Sequence, residues 1–298
     1  MVCQTPGSTP AATTRTSRSS SPVAGRSISR NSNTSGGEPY RSWTIAFRTA
    51  KCIVHSVQIR DPSHGYARMR WNTPLSEEHA ELLLSRLAVE PGSTVLDLGC
   101  GWGELLLRAV AGGGPDTQGV GVDSDQELLR RGETLAAERG LGDRVRFVCE
   151  PAGDWTNAAA SVICVGASQA WGDVVDALEP LYRLTLPGGR LLFGDGCWEQ
   201  PPTEAAAAIF TTVPPLSTLV ERAQAVGWRV LSLTTADQRE WDDFESTWRA
   251  GREEWVLANP SHPGAADERR LLEERLAEYL DVYRGVLGFA YLVLARQG

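Results

Sequence analysis

The sequence predicts an α/β domain built on a doubly wound, mostly parallel sheet. Three observations carry that expectation. From residue 73 onward short apolar runs alternate with helical patterns, and a glycine-rich turn follows the first run. The longest nearly apolar stretch, Ala158 to Ala167, falls short of the roughly 18 residues a membrane helix needs.

Thr73-Pro74 offers a capping residue followed by proline, and Ala80, Leu83, Leu84 and Leu87 recur at helical spacing, so a helix is expected near 75–89. Val95 to Leu98 reads as a strand and Leu105 to Ala111 as a helix, which places Gly99-Cys100-Gly101-Trp102-Gly103 on a strand-to-helix turn. A strand at Gln118–Asp123, a helix at Glu127–Arg139 and a strand at Val145–Cys149 follow. Next come a strand at Ser161–Val165, a helix at Val174–Leu184, a turn at Pro187-Gly188-Gly189 and a strand at Arg190–Phe193. A helix at Ser217–Val226 and a strand at Arg229–Thr234 lead into a helical stretch, 236–284, rich in Arg, Glu and Trp. Val286 to Ala295 closes the chain as a last apolar strand, and no internal repeat interrupts the series.

Composition bounds the partners. Residues 1–68 hold nine Lys and Arg against two Asp and Glu, a formal +7, while the remainder holds 20 against 35, a formal −15. An acidic body argues against a nucleic-acid partner, because counterion release needs clustered cations. Cationic, zwitterionic or neutral small molecules fit better, and no membrane partner is expected. Cys3, Cys52, Cys100, Cys149, Cys164 and Cys197 show no CxxC spacing, so neither a disulfide framework nor a metal site is indicated, and a cytoplasmic location is the default. Residues 1–37 lack acidic residues and any apolar period, so the head, taken as 1–54, reads as a disordered basic segment. The 55–298 remainder reads as the folded domain.

The turn Gly99-x-Gly101-x-Gly103 suits close approach of a ligand to backbone, since no Cβ stands in the way. The helix that begins there presents a partial positive charge to an anion. One strand later Asp123 stands at a strand end, about 20 residues on, where a carboxylate can accept both hydroxyls of a ribose. Together they indicate an adenosine-bearing cofactor. The dinucleotide fingerprint asks for glycine at a sixth position occupied here by Glu104, which would crowd helix against strand and repel a pyrophosphate.

VLDLGCGWGE (95–104), GVGVDSD (119–125) and LTLPGGRLLFGD (184–195) resemble the motifs of class I S-adenosylmethionine-dependent methyltransferases. More closely, NTPLSEEHAELL (72–83), CVGAS (164–168), ADQREWDDFE (236–245), WVLANP (255–260) and LGFAYLVLAR (287–296) resemble a group of largely uncharacterised bacterial members. The resemblance implies a Rossmann-like sheet with an antiparallel last strand, and S-adenosyl-L-methionine as cofactor. It implies that Asp97, Gly99, Cys100, Gly101 and Gly103 hold the methionyl end, that Asp123 binds the ribose, that Ser124 lies beside the adenine and that Gly166 sits under the sulfonium. Family members commonly carry Asp-Ala after the third strand, where this chain has Pro151-Ala152-Gly153-Asp154. Adenine is then left to the backbone of Ala152 or Gly153, or to Asp154.

Methyl transfer from a sulfonium needs alignment more than acid–base chemistry, so no triad is required. Two candidates for a base nonetheless stand out: His64, just ahead of the first helix, and Asp195, expected at the end of the fifth strand near the cleft. Trp171, Trp198, Trp241, Trp248 and Trp255 are candidates for an acceptor pocket, although Trp248 and Trp255 sit seven apart on one helical face, a spacing that also serves packing. Residues 236–284 are expected to cover the acceptor as a lid. The expected activity is methyl transfer to a small-molecule acceptor by in-line displacement; an NAD-linked oxidoreductase and a non-catalytic cofactor-binding member are the alternatives. The oligomeric state is left open.

Overall fold

The computed structural model describes Tyr66 and residues 68–298. The expected disordered head and His64 therefore lie outside the described residues. A helix α1 (Glu77–Leu87) precedes the sheet. Strands β1 (Thr94–Leu98), β2 (Gln118–Asp123) and β3 (Val145–Cys149) alternate with helices α2 (Glu104–Gly112) and α3 (Gln126–Glu138). There follow β4 (Ala159–Val165), α4 (Leu178–Leu184), β5 (Thr185–Trp198), α5 (Glu204–Ile209), α6 (Leu216–Val226), β6 (Arg229–Thr235), α7 (Gln238–Ala258), α8 (Ala265–Glu278) and β7 (Leu287–Ala295).

The seven strands form one sheet in the order β3-β2-β1-β4-β5-β7-β6. Strands β1 to β5 pair parallel, and β7 lies antiparallel between β5 and β6. Strand β7 is buried from Leu287 to Leu294, as a strand covered on both faces must be, and this explains its unbroken apolar run. The strand order reverses between β1 and β4, so the two loops that leave the carboxyl ends of these strands flank a crevice, the position where open α/β sheets bind ligands.

Local chemistry corrects three of the expected features. Ser76, not Thr73, caps α1 by accepting from His79 N–H at 3.2 Å; the Thr73 hydroxyl instead meets the Tyr291 hydroxyl at 3.0 Å. The helix expected from Val174 begins at Leu178, because Asp173 Oδ1 accepts from the backbone N–H groups of Val175 and Asp176, each at 2.9 Å. That side-chain turn competes with the first helical turn. The expected Pro187–Gly189 turn is an irregularity inside β5, where the pairing with β4 steps from Ala159↔Thr185 to Ser161↔Arg190. The short α5, capped by Thr203, is an element the apolar pattern does not signal.

Between β6 and β7 the chain is helical over Gln238–Ala258 and again from Ala265 to Tyr283, with a break at 259–264. Because β5 and β6 both run antiparallel to β7, α7 leaves the sheet at the same edge as the carboxyl ends of β1 and β4. A capping box at Asp237 and Glu240 starts it. Glu240 also accepts from Ser76 N–H at 2.8 Å and Ser76 Oγ at 2.6 Å, and faces His79 Nδ1 at 3.0 Å. These contacts tie the helical excursion to the N-terminus of α1.

Candidate functional site

Positive-φ glycines shape the two loops at the switch point. Gly99 has φ 73°, and a Cβ there would fall 2.2 Å from the Ala167 Cβ of the loop after β4. The loops touch, and glycine is what permits it. Gly101, at φ 57°, differs: a Cβ there would meet no protein atom within 4 Å, because Gly101 borders a cavity of about 360 Å³. The cavity lies between the loops that follow β1, β2, β3 and β4 and the segment that precedes α1.

Asp97, Gly99, Cys100, Gly101, Asp123, Ser124, Ala152 and Gly166 all line it. Asp123 does not cap α3, a role that falls to Asp125, which accepts from the Glu127 and Leu128 N–H groups. Instead Asp123 Oδ2 accepts from Gly101 N–H and Oδ1 from Asp125 N–H, both at 2.9 Å. The carboxylate thereby fixes the glycine turn to the end of β2. The turn's own amides are largely committed: Gly99 and Cys100 N–H donate to Val122 O, and Gly103 N–H to Cys100 O. Helix α2, which follows, has no side-chain cap at Gly103.

Two expected ligand residues stand apart from the cavity. Gly103 and Gly153 are not among its lining residues. A Cβ at Gly103 would come within 2.7 Å of the Phe147 ring, and one at Gly153 within 2.5 Å of Ala170 O, so each glycine serves close packing. Asp154 N–H donates to Pro151 O at 3.0 Å in a 3₁₀ turn, Ala152–Asp154. Of the post-β3 segment, Pro151 and Ala152 reach the cavity.

Asp195 does not stand at the cleft. Strand β5 continues past it to Trp198, and the carboxylate is 1% exposed, accepting from Ser168 N–H at 3.3 Å and Gly196 N–H at 2.8 Å. Burial raises its pKa to about 6, against the opposing pull of its hydrogen bonds. It holds the loop after β4 rather than bordering the cavity. None of the five candidate tryptophans lines the cavity either. Trp198 packs edge-on to Phe210, and Trp241 to Phe244 and Tyr283. Trp248 carries cations of its own chain, with Arg275 at 3.9 Å and Arg252 at 4.5 Å from its ring centre.

The cavity wall is acidic. Asp97, Glu104, Asp123 and Asp125 line it against a single cation among its described lining residues, Arg70. Burial, reinforced by the nearby charge of Asp123, raises the Asp97 pKa to about 8. Glu104 is accommodated at the start of α2 because Arg108 Nε reaches it at 2.8 Å and Arg139 Nη2 at 2.7 Å. The crowding expected from Glu104 is relieved by this pairing.

Sequence reasoning missed the segment Arg70-Trp71-Asn72-Thr73, which lines the cavity beside Tyr66. Two side chains, one from α3 and one from the glycine turn, hold its backbone through three hydrogen bonds. Arg131 donates to Tyr66 O at 2.8 Å and to Met69 O at 2.7 Å, and Trp102 Nε1 donates to Arg70 O at 3.0 Å. The Arg131 guanidinium also lies 4.1 Å from the Trp102 ring centre, and that of Arg108 lies 4.8 Å from that of Trp71. Asn72 Oδ1 is buried with no hydrogen-bond partner. The Arg-Trp-Asn run immediately ahead of a capped helix was the available signal.

Comparison with known proteins agrees with this geometry. A family model described as a methyltransferase domain matches residues 95–189. The uncharacterised protein YjhP of Escherichia coli (strain K12) is 31% identical over 236 residues, 76% of this chain and 93% of that protein. A solved S-adenosylmethionine-dependent methyltransferase from Geobacter sulfurreducens, in complex with S-adenosyl-L-homocysteine, is 30% identical. It aligns with a TM-score of 0.72 over 79% of this chain and 97% of its own. The 27-O-demethylrifamycin SV methyltransferase of Amycolatopsis mediterranei (strain S699) is 26% identical over 73% of this chain and 78% of that protein.

Proposed function

This chain belongs to the class I S-adenosylmethionine-dependent methyltransferase family, and we propose that it moves the methyl group of that cofactor to a small-molecule acceptor by in-line displacement. The observation that carries this reading is the switch-point cavity, whose donor and acceptor set suits a zwitterion joined to a nucleoside. Space in front of Gly101 admits backbone contact. Asn72 Oδ1 is a buried acceptor with no partner, and Asp97 is a buried acid whose pKa burial and the charge of Asp123 raise to about 8. Both suit an ammonium group. Asp123, with a free lone pair on each oxygen beyond its two backbone bonds, suits ribose hydroxyls. Ser124, Pro151 and Ala152 flank the place left for a base.

When bound, the cofactor supplies a methyl group already activated on a sulfonium. The chain's residues position the reactants and keep water out. Gly166, at φ 69°, and the tied segment of Tyr66 and Trp71 border the same cavity and would do that work. Asp195, hydrogen-bonded to the loop after β4, would set that loop's position rather than take a proton from an acceptor.

A small acceptor is supported by the rifamycin relative and by the formal −15 of residues 69–298, which opposes a phosphate backbone. The test is transfer of labelled methyl from S-adenosylmethionine into a panel of small O-, N-, C- and S-nucleophiles, with RNA, DNA and protein in parallel. Label in a small molecule is the expected result. Label confined to a macromolecule overturns it, and sustained cofactor binding with no transfer to any class favours the non-catalytic alternative.

Asp97 also sets an expected pH dependence. Its folded pKa, about 8, lies above the ordinary carboxyl value, so its contribution to the stability of the ligand-free fold is full at low pH and is lost as pH rises through about 8. Ligand binding runs the other way, because an ammonium beside Asp97 favours the ionised form. S-adenosylhomocysteine affinity is therefore expected to rise between pH 6 and 8, by up to roughly tenfold per unit for one released proton. Calorimetry in buffers of different ionisation enthalpy measures that proton; a flat profile would remove Asp97 from contact with the ammonium.

A further inference from the structure

Asp195 is a buried carboxylate on which no cation acts among the described residues. It and Ser168 of the loop after β4 are both buried. Oδ2 accepts from Ser168 N–H at 3.3 Å and Oδ1 from Gly196 N–H at 2.8 Å, and the Ser168 hydroxyl bonds to the carboxylate as well. None of its titratable neighbours neutralises it. Cys164 on β4 and Cys197 on β5 are thiols whose pKa values its charge helps to raise, so both stay protonated. Asp97 acts on Cys164 and Glu199 on Cys197, but neither acts on Asp195 itself. Strand β7 places Ala290 opposite Asp195, and no charged group on the covering helices contributes to its pKa.

The loop that Asp195 grips is one wall of the cavity, which Gly166, Ala167, Gln169 and Ala170 line. A backbone bond from Gly166 N–H to Gly194 O ties its start to β5, whereas those from Ala170 N–H to Ala167 O and from Gln169 Nε2 to Gly166 O close within the loop. The wall also presses on its neighbours, Ala167 on Gly99 and Ala170 on Gly153. Protonation acts on the grip by elementary geometry. Each carboxylate oxygen already faces an N–H, so an added proton meets a donor on either oxygen, and the longer bond, to Ser168, yields first. We propose that ionised Asp195 is a positioning residue that latches the 166–170 wall, and that its protonation releases the wall and loosens the cavity. The inference rests on the reading of that cavity as the cofactor site. Burial raises the pKa of Asp195 to about 6 against the pull of its hydrogen bonds, so about one molecule in a hundred is protonated at pH 8 and about nine in ten at pH 5. Stability runs the other way: the contribution of a carboxyl with a raised pKa is full at low pH and is lost as pH rises through about 6. The latch is thus held in the form that burial disfavours.

Hydrogen exchange of the ligand-free chain tests the latch directly. After correction for intrinsic rates, peptides covering 164–171 are expected to exchange about tenfold or more faster at pH 5 than at pH 8, following the protonated fraction. Peptides covering 287–295, in β7, should hold constant. In Asp195→Asn, which keeps the shape and is neutral at every pH, the fast rate should appear at both. Calorimetry with S-adenosylhomocysteine then joins the latch to the cavity. Asp195→Asn is expected to weaken binding roughly 5- to 20-fold at pH 8, the order of one lost hydrogen bond, and to converge with the parent at pH 5. Equal protection of 164–171 at the two pH values in the parent overturns the latch, and that comparison needs no variant to fold. Affinity of the variant equal to the parent's at pH 8 overturns the link to the cavity. A parent that binds no S-adenosylhomocysteine at any pH overturns the cofactor reading instead, a failure that the exchange data keep distinct.

Discussion

Asp123→Ala is expected to weaken S-adenosylhomocysteine binding by about 2 to 4 kcal/mol, the range for losing a charged hydrogen-bonding group from a ligand contact. That corresponds to roughly thirtyfold to several-hundredfold in the dissociation constant. The loss has two sources, and the structure separates them. One is the proposed contact with two ribose hydroxyls. The other is internal, since Asp123 Oδ2 holds Gly101 N–H and Oδ1 holds Asp125 N–H, so alanine also releases the glycine turn from β2. Asp123→Asn keeps an acceptor for one of those amides and removes the charge; it should cost less than alanine. The Asp97 pKa gives an independent check. The charge of Asp123 is its second cause of elevation, after burial, so either substitution should shift the pH midpoint of binding downward. Affinity unchanged in both variants would exclude Asp123 from the ribose.

Much of the fold was legible because its signals are local. Strands β2 and β3 fall on the residues that the apolar runs mark, and the turn at Gly99 declares itself by its glycines and by Asp123 one strand later. The parts that were not legible depend on contacts far along the chain. Nothing near Arg70 announces that Trp102, 32 residues away, will hold its carbonyl, or that Arg131, 62 residues from Met69, will hold the one before it. The position of Asp195 was misplaced because β5 carries on to Trp198 through antiparallel pairing with β7, a partner nearly a hundred residues later. Glycines at 103 and 153 looked like ligand contacts in a motif, yet the close approach they permit is to Phe147 and to Ala170.

The tryptophans of the excursion between β6 and β7 teach the same lesson about function. Their number suggested a pocket, but Trp241 and Trp248 are buried in the domain's core, and Glu240 joins the excursion to Ser76 and His79. Removing the whole excursion would therefore strip core from the domain, and it cannot serve as a clean test of acceptor choice. If the excursion covers an acceptor, it does so by way of the segment it grips, for Glu254 pairs with Arg68 just ahead of Arg70. Cofactor site and excursion meet in that short stretch of chain.

Arg275→Ala is expected to lower stability by about 3 to 5 kcal/mol, the range for stripping one partner from a buried ion pair. Arg275 on α8 donates through Nε to Glu245 Oε2 at 2.9 Å and through Nη2 to Oε1 at 3.0 Å, while the Tyr283 hydroxyl donates to Oε1 at 3.0 Å. Glu245 is 4% exposed, so alanine would leave a carboxylate in a poorly solvated site with one neutral donor. The Trp248 ring would also lose the guanidinium stacked on it. For a domain of this size each kcal/mol moves the melting temperature by about 2 to 4 °C, so a fall on the order of 10 °C is expected in a thermal melt. Replacing both partners with apolar residues, Glu245→Leu with Arg275→Met, should recover most of it, because no unpaired charge is then buried. Neither residue lines the cavity, so S-adenosylhomocysteine affinity measured well below the transition should stay within about threefold of the parent. A drop of less than 3 °C in the single variant would mean that water reaches Glu245. A large loss of affinity in the folded variant would instead mean that the packing of α7 against α8 sets the shape of the cofactor cavity.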